Sequence, residues 1–319
     1  MSTAVVKAKV DVPLAHDQRA DAGAVAVLRR LLDVIVDNID GSISGEDPEH
    51  LHQLRIAVRR SRTVQRQLKD VFAPEELPGY RSEFRWLQQA TGDARDLDVY
   101  LEDLDGLREM LPESMRADLD PLVPVLAHSR LTARAEMTRA LRSVRAAHLF
   151  EDWDRMLEGL VALPLEDRPA AAMPIGTVAG ARIRKVYKRI VRMGRAIDAG
   201  SPPEAYHELR KKGKELRYLL ELFGVKLFEE EAVAPFIRSL KGLQDVLGRH
   251  QDREIQIAML RASVAEVAQL PGGGAACMAM GTLVEHLRAD EQAARDEFGA
   301  RFADLAAKHQ RTLVRETFV

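Results

Sequence analysis

Between residues 51 and 69 the chain carries six basic side chains, Arg55, Arg59, Arg60, Arg62, Arg66 and Lys69, and no acid. Residues 182–195 carry seven, Arg182, Arg184, Lys185, Lys188, Arg189, Arg192 and Arg195, again without an acid. Residues 210–217 carry five against Glu215 alone. An arginine fork donates two parallel hydrogen bonds to an oxyanion and stays charged at any cellular pH, whereas lysine acts as a point charge. His52 and His207 add donors that gain charge at about pH 6.5. Residues of these types, concentrated in this way, are suited to capturing a polyanion.

Helices must carry them. At roughly 100° per residue, His52, Arg55, Arg59, Arg62 and Arg66 fall within an arc of roughly 80°. Leu54, Ala57, Val58, Ser61, Val64, Leu68 and Val71 occupy the opposite side and predict an interior face. His207, Arg210, Lys214 and Arg217 likewise oppose Leu209, Leu216, Leu219 and Leu220, and Lys211 widens that second stripe. In the helix before it, Arg182, Lys185, Lys188, Arg189 and Arg192 segregate from Ile183, Val186, Tyr187, Ile190 and Met193. Two adjacent basic helices would line one groove. Like charges at such spacing repel by a few tenths of a kcal/mol per pair, so either internal acids or a bound anion must neutralise them. The internal candidates are Asp93, Asp96 and Asp98, read as ion-pair partners for arginines of their own half. For a stripe that is repeated and free of acids, the bound anion is the preferred reading.

The repetition is direct. PEHLHQLR at residues 48–55 is echoed by PEAYHELR at residues 203–210, an offset of 155 that carries Arg59 onto Lys214 and Arg62 onto Arg217. The run from Arg85 through Gly92 and Asp96 to Asp98 falls on Lys241 through Gly248 and Asp252 to Glu254 at an offset of 156. Upstream, Arg29 and Arg30 fall on Arg184 and Lys185 at 155. This order predicts an all-α chain of two tandem four-helix bundles related by internal duplication, at residues 23–148 and 176–310. Helices are expected near 23–40, 48–72, 75–108 and 113–148, with counterparts in the second half. Residues 149–175, with Pro164, Pro169 and Pro174, read as a connector. Residues 1–22 read as a poorly ordered segment and 311–319 as a tail. Asp47 before Pro48, and Ser201 before Pro202, are expected N-caps. The Pro271-Gly272-Gly273-Gly274 run reads as a flexible turn.

Composition narrows the function. The chain has 319 residues, a net charge of −2, 46% hydrophobic, 30% charged and 5% aromatic residues. Eighteen of the 47 basic residues sit in the three blocks, so acids outnumber bases by 19 elsewhere. Local field, not net charge, decides what binds. A lone Cys277, a start without a basic-then-apolar leader and no apolar run long enough to span a bilayer point to a cytoplasmic chain with no membrane partner. No nucleophile elbow, HExxH, Cys-x-x-Cys or glycine-rich nucleotide fingerprint occurs, which favours a binding protein without cofactor or metal over an enzyme. A phosphoryl-transfer accessory role and nucleic-acid binding are the alternatives. The second is disfavoured because the basic helices offer mainly Tyr187 and Tyr218 for base stacking.

The segment His52-x-x-Arg55-x-x-x-Arg59-Arg60-x-Arg62, followed by Gly92-x-x-Arg95-Asp96-x-Asp98, resembles the CHAD family, a histidine-containing α-helical domain. The stretch from His207 to Glu254 resembles that family's C-terminal half. The resemblance implies two four-helix bundles with pseudo-twofold symmetry around a basic groove or cavity. It also implies binding of inorganic polyphosphate and attachment to polyphosphate-containing granules, in the company of granule-associated or phosphate-metabolising proteins. Its ligand-facing positions correspond to His52, Arg55, Arg59, Arg62, His207, Arg210, Lys214 and Arg217. Arg29, Arg30, Arg184 and Lys185 are added to them, with Arg66, Lys188, Arg189 and Lys211 extending the stripes. The second copy departs by placing Glu215 opposite Arg60 and Gln251 opposite Arg95.

Overall fold

The computed structural model describes residues 4–198 and 200–319. Helices account for nearly all of the regular structure, and the described residues form no strand beyond an isolated bridge between Arg19 and Pro174. In chain order they are α1 (Ala20–Asp37), α2 (Ile39–Ser44), α3 (Pro48–Gln67), α4 (Leu77–Ala90), α5 (Gly92–Glu102), α6 (Leu104–Glu109), α7 (Leu122–Leu141) and α8 (Val144–Gly159). There follow α9 (Ile175–Arg195), α10 (Pro203–Leu219), the single turn α11 (Val225–Leu227), α12 (Glu230–Val267), α13 (Gly273–Leu305) and α14 (Lys308–Thr317). The starts of α1 and α9, Ala20 and Ile175, are 155 residues apart, as are those of α3 and α10, Pro48 and Pro203.

The interior faces read from the sequence are interior. Leu54, Ala57, Val58, Ser61, Val64, Leu68 and Val71 are fully buried, and so are Leu209, Leu216, Leu219 and Leu220. Asp47 caps α3 by accepting the Glu49 amide at 2.8 Å. Ser201 does not cap α10. Its hydroxyl instead bonds Asp198, accepting the Asp198 amide at 2.9 Å and donating to Oδ1 at 3.1 Å, which leaves Pro202 at the cap position.

Several boundaries differ from expectation. The third predicted helix is broken at Thr91, whose hydroxyl donates back to the Leu87 carbonyl at 2.9 Å, a bond that competes with helix continuation. It breaks again at Asp103. The connector does not begin at residue 149. The apolar spacing of Ala146, Leu149, Trp153 and Leu157 carries α8 on to Gly159, with Trp153 fully buried against Phe72, Tyr80 and Phe84. The proline-rich remainder is pinned by Arg168, which is buried and donates to Asp21 (2.8 Å), Val71 O (2.9 Å) and Leu163 O (2.9 Å). The expected tail is largely helix α14, with Val314 and Phe318 buried. In the glycine run, Gly272 adopts φ +79°, and a Cβ on Gly273 would lie 2.4 Å from the Val267 carbonyl oxygen, so the turn between α12 and α13 is fixed rather than loose.

The amino-terminal segment is also a correction. Residues 4–14 form an extended strap with Ala8 and Val10 buried. The Ala8 amide donates to Gln53 on α3 (2.7 Å), Asn38 donates to the Val6 carbonyl (2.8 Å), and Lys226 on α11 donates to the Val12 carbonyl (3.0 Å).

The core does not divide at the connector. One apolar cluster runs through α1, α3, α4, α8, α9, α10 and the start of α12. A second joins α6 and the start of α7 to the distal part of the α12–α13 hairpin. Each cluster takes residues from both sequence halves, so neither half keeps an interior of its own.

Candidate anion-binding cleft

Helices α3 and α10 lie side by side in opposite directions. Arg60 pairs with Glu221 and stands 5.8 Å from the Tyr218 ring, while Arg66 pairs with Glu215 at 2.8 Å. With α12 and the α5–α6 joint, these two helices enclose a cleft of about 670 Å³. Its lining includes His52, Arg59 and Arg60 from α3, Arg210, Lys214 and Arg217 from α10, and Arg249 and Arg253 from α12. Four carboxylates face it as well: Asp103, Glu221, Asp245 and Asp252.

Most of these cations already have partners. Arg217 pairs with Glu221 at 2.5 Å, Arg210 with Asp252 at 3.2 Å, and Arg249 and Arg253 with Asp290 at 3.8 and 2.7 Å. Arg59 and Lys214 form no ion pair among the described residues. Burial pulls the Lys214 ammonium down to about 8, and the nearby Arg210 and Arg59 add to the shift. Burial and then Arg95 push His52 below the ordinary histidine value, so its ring carries less charge at neutral pH than a free imidazole. Arg59 and Lys214 are matched positions of the repeat and the lining cations without an ion pair among the described residues, as Asp103 and Asp245 are the lining carboxylates without one.

The α3 stripe is split rather than continuous. Arg55 is buried and donates to the Gln88 carbonyl and the Thr91 hydroxyl, both at 2.9 Å, tying α3 to the α4–α5 joint. Burial, with Arg59 next, lowers its guanidinium to about 10, still charged at neutral pH. Arg62 turns to Gln88 on α4. An arc of roughly 80° is wide enough to meet one neighbour on each flank, and α3 has α4–α5 on one and α10 on the other. Gly92 and Gly248 occupy matched places, where a Cβ would stand 3.8 Å from Arg55 and Arg210 respectively.

Other expected positions lie elsewhere. His207 does not line the cleft and bonds Gln251, the residue that replaces Arg95 in the second copy. Lys211 pairs with Glu208 at the surface. Arg29 pairs with Asp154 on α8 at 3.1 Å, and Arg30 stays on α1 outside the cleft. The basic residues of α9 do not share a groove with those facing this cleft. Lys185, Lys188 and Arg189 line a smaller depression with Lys212 of α10, and Arg184 and Lys188 line another against α14. The α9 and α10 helices pack together and share the first depression through Lys212 and Glu215, while Arg210, Lys214 and Arg217 of α10 face the cleft. Asp98 behaves as read, buried and held by Arg130 (2.6 Å) and Arg134 (3.3 Å) of its own half.

The sequence reading missed Arg249 and Arg253 as lining residues, together with the carboxylates that neutralise the cleft. An overlooked cluster also lies nearby. His250, Glu254 and Glu291 bring one ligand atom each within 4.8 Å of one another. Arg295 reaches His250 Nε2 at 3.1 Å and Glu291 at 3.5 Å, supplying the positive charge these carboxylates require. Burial, with Arg295 second, lowers the His250 ring to about 4, so it is neutral at pH 7.

This helical architecture is that of a known family. The family model described as "CHAD domain" matches residues 26–261, and the chain belongs to that family. A solved CHAD domain from the plant Ricinus communis superposes with a TM-score of 0.68 at 22% identity, covering 98% of this chain and 97% of that one. PptA from Streptomyces chartreusis superposes with a TM-score of 0.62 at 20% identity, covering 89% of this chain and 99% of that one. Two curated relatives, the uncharacterized proteins MT2285 and Rv2226 of Mycobacterium tuberculosis strains CDC 1551 / Oshkosh and ATCC 25618 / H37Rv, are each 28% identical over 225 residues, 67% of this chain. The match spans 40% of the length of these relatives. No helix among the described residues is long and apolar enough to cross a membrane.

Proposed function

We propose that the chain binds inorganic polyphosphate, without catalysis, in the cleft between α3, α10 and α12. Membership of the CHAD family, which is linked to polyphosphate binding, supports the ligand class. The observation that carries the reading is the unpaired Arg59 and Lys214 facing one cleft beside His52, the lysine depressed by burial first and by its arginine neighbours second. A chain of phosphates supplies the missing negative charge at several points at once and accepts hydrogen bonds from the arginine forks. The cleft's carboxylates Glu221 and Asp252 face arginines instead of converging on a common point, an arrangement suited to holding cations in place rather than to holding magnesium. The finer architecture is a duplication: matched helix starts, the matched Arg59 and Lys214, and the matched glycines beside Arg55 and Arg210 all support it. In the cell the protein is placed in the cytoplasm, on polyphosphate-containing granules.

The test is calorimetric titration with long-chain polyphosphate, tripolyphosphate, duplex DNA and single-stranded RNA at two salt concentrations. Arg59→Gln/Lys214→Gln is the comparison. The expected result is length-dependent polyphosphate binding that weakens at least tenfold in the variant. Nucleic acid bound as tightly as polyphosphate would overturn the ligand assignment, and undiminished polyphosphate binding by the variant would overturn the cleft.

A further inference from the structure

A second basic concavity, of about 900 Å³, lies between α9 and α14. It is lined by Arg184, Lys188, Arg192 and Arg195 from α9 and by Lys308 and Arg311 from α14, with no acidic side chain in the lining. Among the described residues none of these six forms an ion pair, whereas most cations of the α3–α10–α12 cleft do. Arg315, at the same rim, pairs with Glu316 at 3.1 Å. Six unpaired like charges around one cavity repel one another, and an anion seated among them would relieve that repulsion.

The walls distinguish this cavity from the first. Beneath the cations the floor is closed by the buried Tyr187, Val191 and Val314, and the apolar surface left open is that of the arginine and lysine stems and of the exposed Val319. The Tyr187 hydroxyl is turned away, donating to the Leu305 carbonyl at 2.9 Å, and its buried ring packs edge-on against Phe236 in the core. A bare phosphate chain gains nothing from such walls. The volume lies within the usual range for a small ligand, roughly 300–1,000 Å³. Helix α14 has 10 residues, about 15 Å, too short a wall for the interface of a protein partner.

We propose that the α9–α14 cavity is a second binding site, for an amphiphilic phosphate: an apolar chain ended by a phosphate monoester. The chain would lie along the stems of the lining arginines and lysines and against Val319, and the head would meet the exposed Arg192 and Arg311. A phosphate monoester carries roughly 1.5 to 2 negative charges at pH 7, and so answers a multiply cationic rim better than a single carboxylate. This site is separate from the polyphosphate cleft and does not depend on that assignment.

The test titrates the full chain with butyl, hexyl, octyl and decyl phosphate below their micelle concentrations, and with tripolyphosphate and decyltrimethylammonium. Affinity is expected to rise roughly threefold to fourfold per added methylene until the cavity is filled. Arg192→Gln/Arg311→Gln should weaken decyl phosphate at least tenfold and leave tripolyphosphate within twofold, while Arg59→Gln/Lys214→Gln does the reverse. Both α9–α14 arginines are exposed and unpaired, so their removal should not lower the melting temperature. If it does, Lys188→Gln/Lys308→Gln replaces that variant under the same criteria. A flat series from butyl to decyl, equal binding of the cationic amphiphile, or a parallel loss of tripolyphosphate would each overturn the proposal. The last result would make the cavity a stretch of the polyphosphate path.

Discussion

Lys214 shows how a binding residue weighs on the free protein. Its ammonium sits at about 8 against an ordinary 10.5. Between those values the folded chain holds fewer protons on this group than the unfolded chain, so its penalty is complete below pH 8 and fades as the pH rises toward 10.5. Lys214→Met should therefore raise the melting temperature of the ligand-free protein at pH 7 by roughly 2 °C, corresponding to about 1 kcal/mol. That advantage over wild type should shrink between pH 8 and 10, as followed by thermal unfolding. The same variant should bind polyphosphate at least tenfold more weakly. Wild-type affinity should itself fall as the pH passes from 7 to 9, because the free cleft loses its Lys214 charge in that interval. A variant no more stable than wild type at pH 7 would mean that Lys214 is not strained in the free protein.

At the scale of elements, helical periodicity makes inside and outside legible but not the azimuth among neighbours. That is why Leu54, Val58 and Leu209 are assigned correctly, while Arg55, equally polar on paper, lies buried against Thr91. Nor does charge pattern reveal which of several concavities a basic face meets, and the α9 residues turn to their own. The strap did leave a signal, the alternation of Val6, Ala8, Val10 and Val12 with Lys7, Lys9 and Asp11, in a run too short to stand out from disorder. Its anchoring gives a prediction: removing residues 1–14 should cost about 2 kcal/mol in chemical denaturation, through the exposed apolar contacts of Ala8 and Val10 and the lost bonds to Gln53 and Lys226. The connector clasp should matter more. Arg168→Ala leaves Asp21 buried with only Arg19 beside it, and should cost about 3 kcal/mol by the same measurement.

Across the whole molecule, the two sequence halves neutralise each other. Arg60 and Arg66 of the first half are met by Glu221 and Glu215 of the second. A polyanion entering the cleft competes with Glu221 and Asp252 for their arginines, so fewer counterions are released than the number of lining cations suggests. Glu221→Gln/Asp252→Asn should therefore tighten polyphosphate binding about tenfold at low salt. It should also steepen the fall of affinity with salt by about one to two units of logarithmic slope. An unchanged slope would mean that these carboxylates stay in place when the ligand binds.

The mutual neutralisation also has an order in time. Arg60 and Glu221 are 161 residues apart in the chain. At a synthesis rate of about 5–20 residues per second, the arginines of α3 leave the ribosome roughly 8 to 32 s before their carboxylate partner exists. Throughout that interval the acid-free, arginine-rich stretch of α3 stands beside ribosomal RNA without the carboxylate that answers it, and the completed second half is what withdraws it.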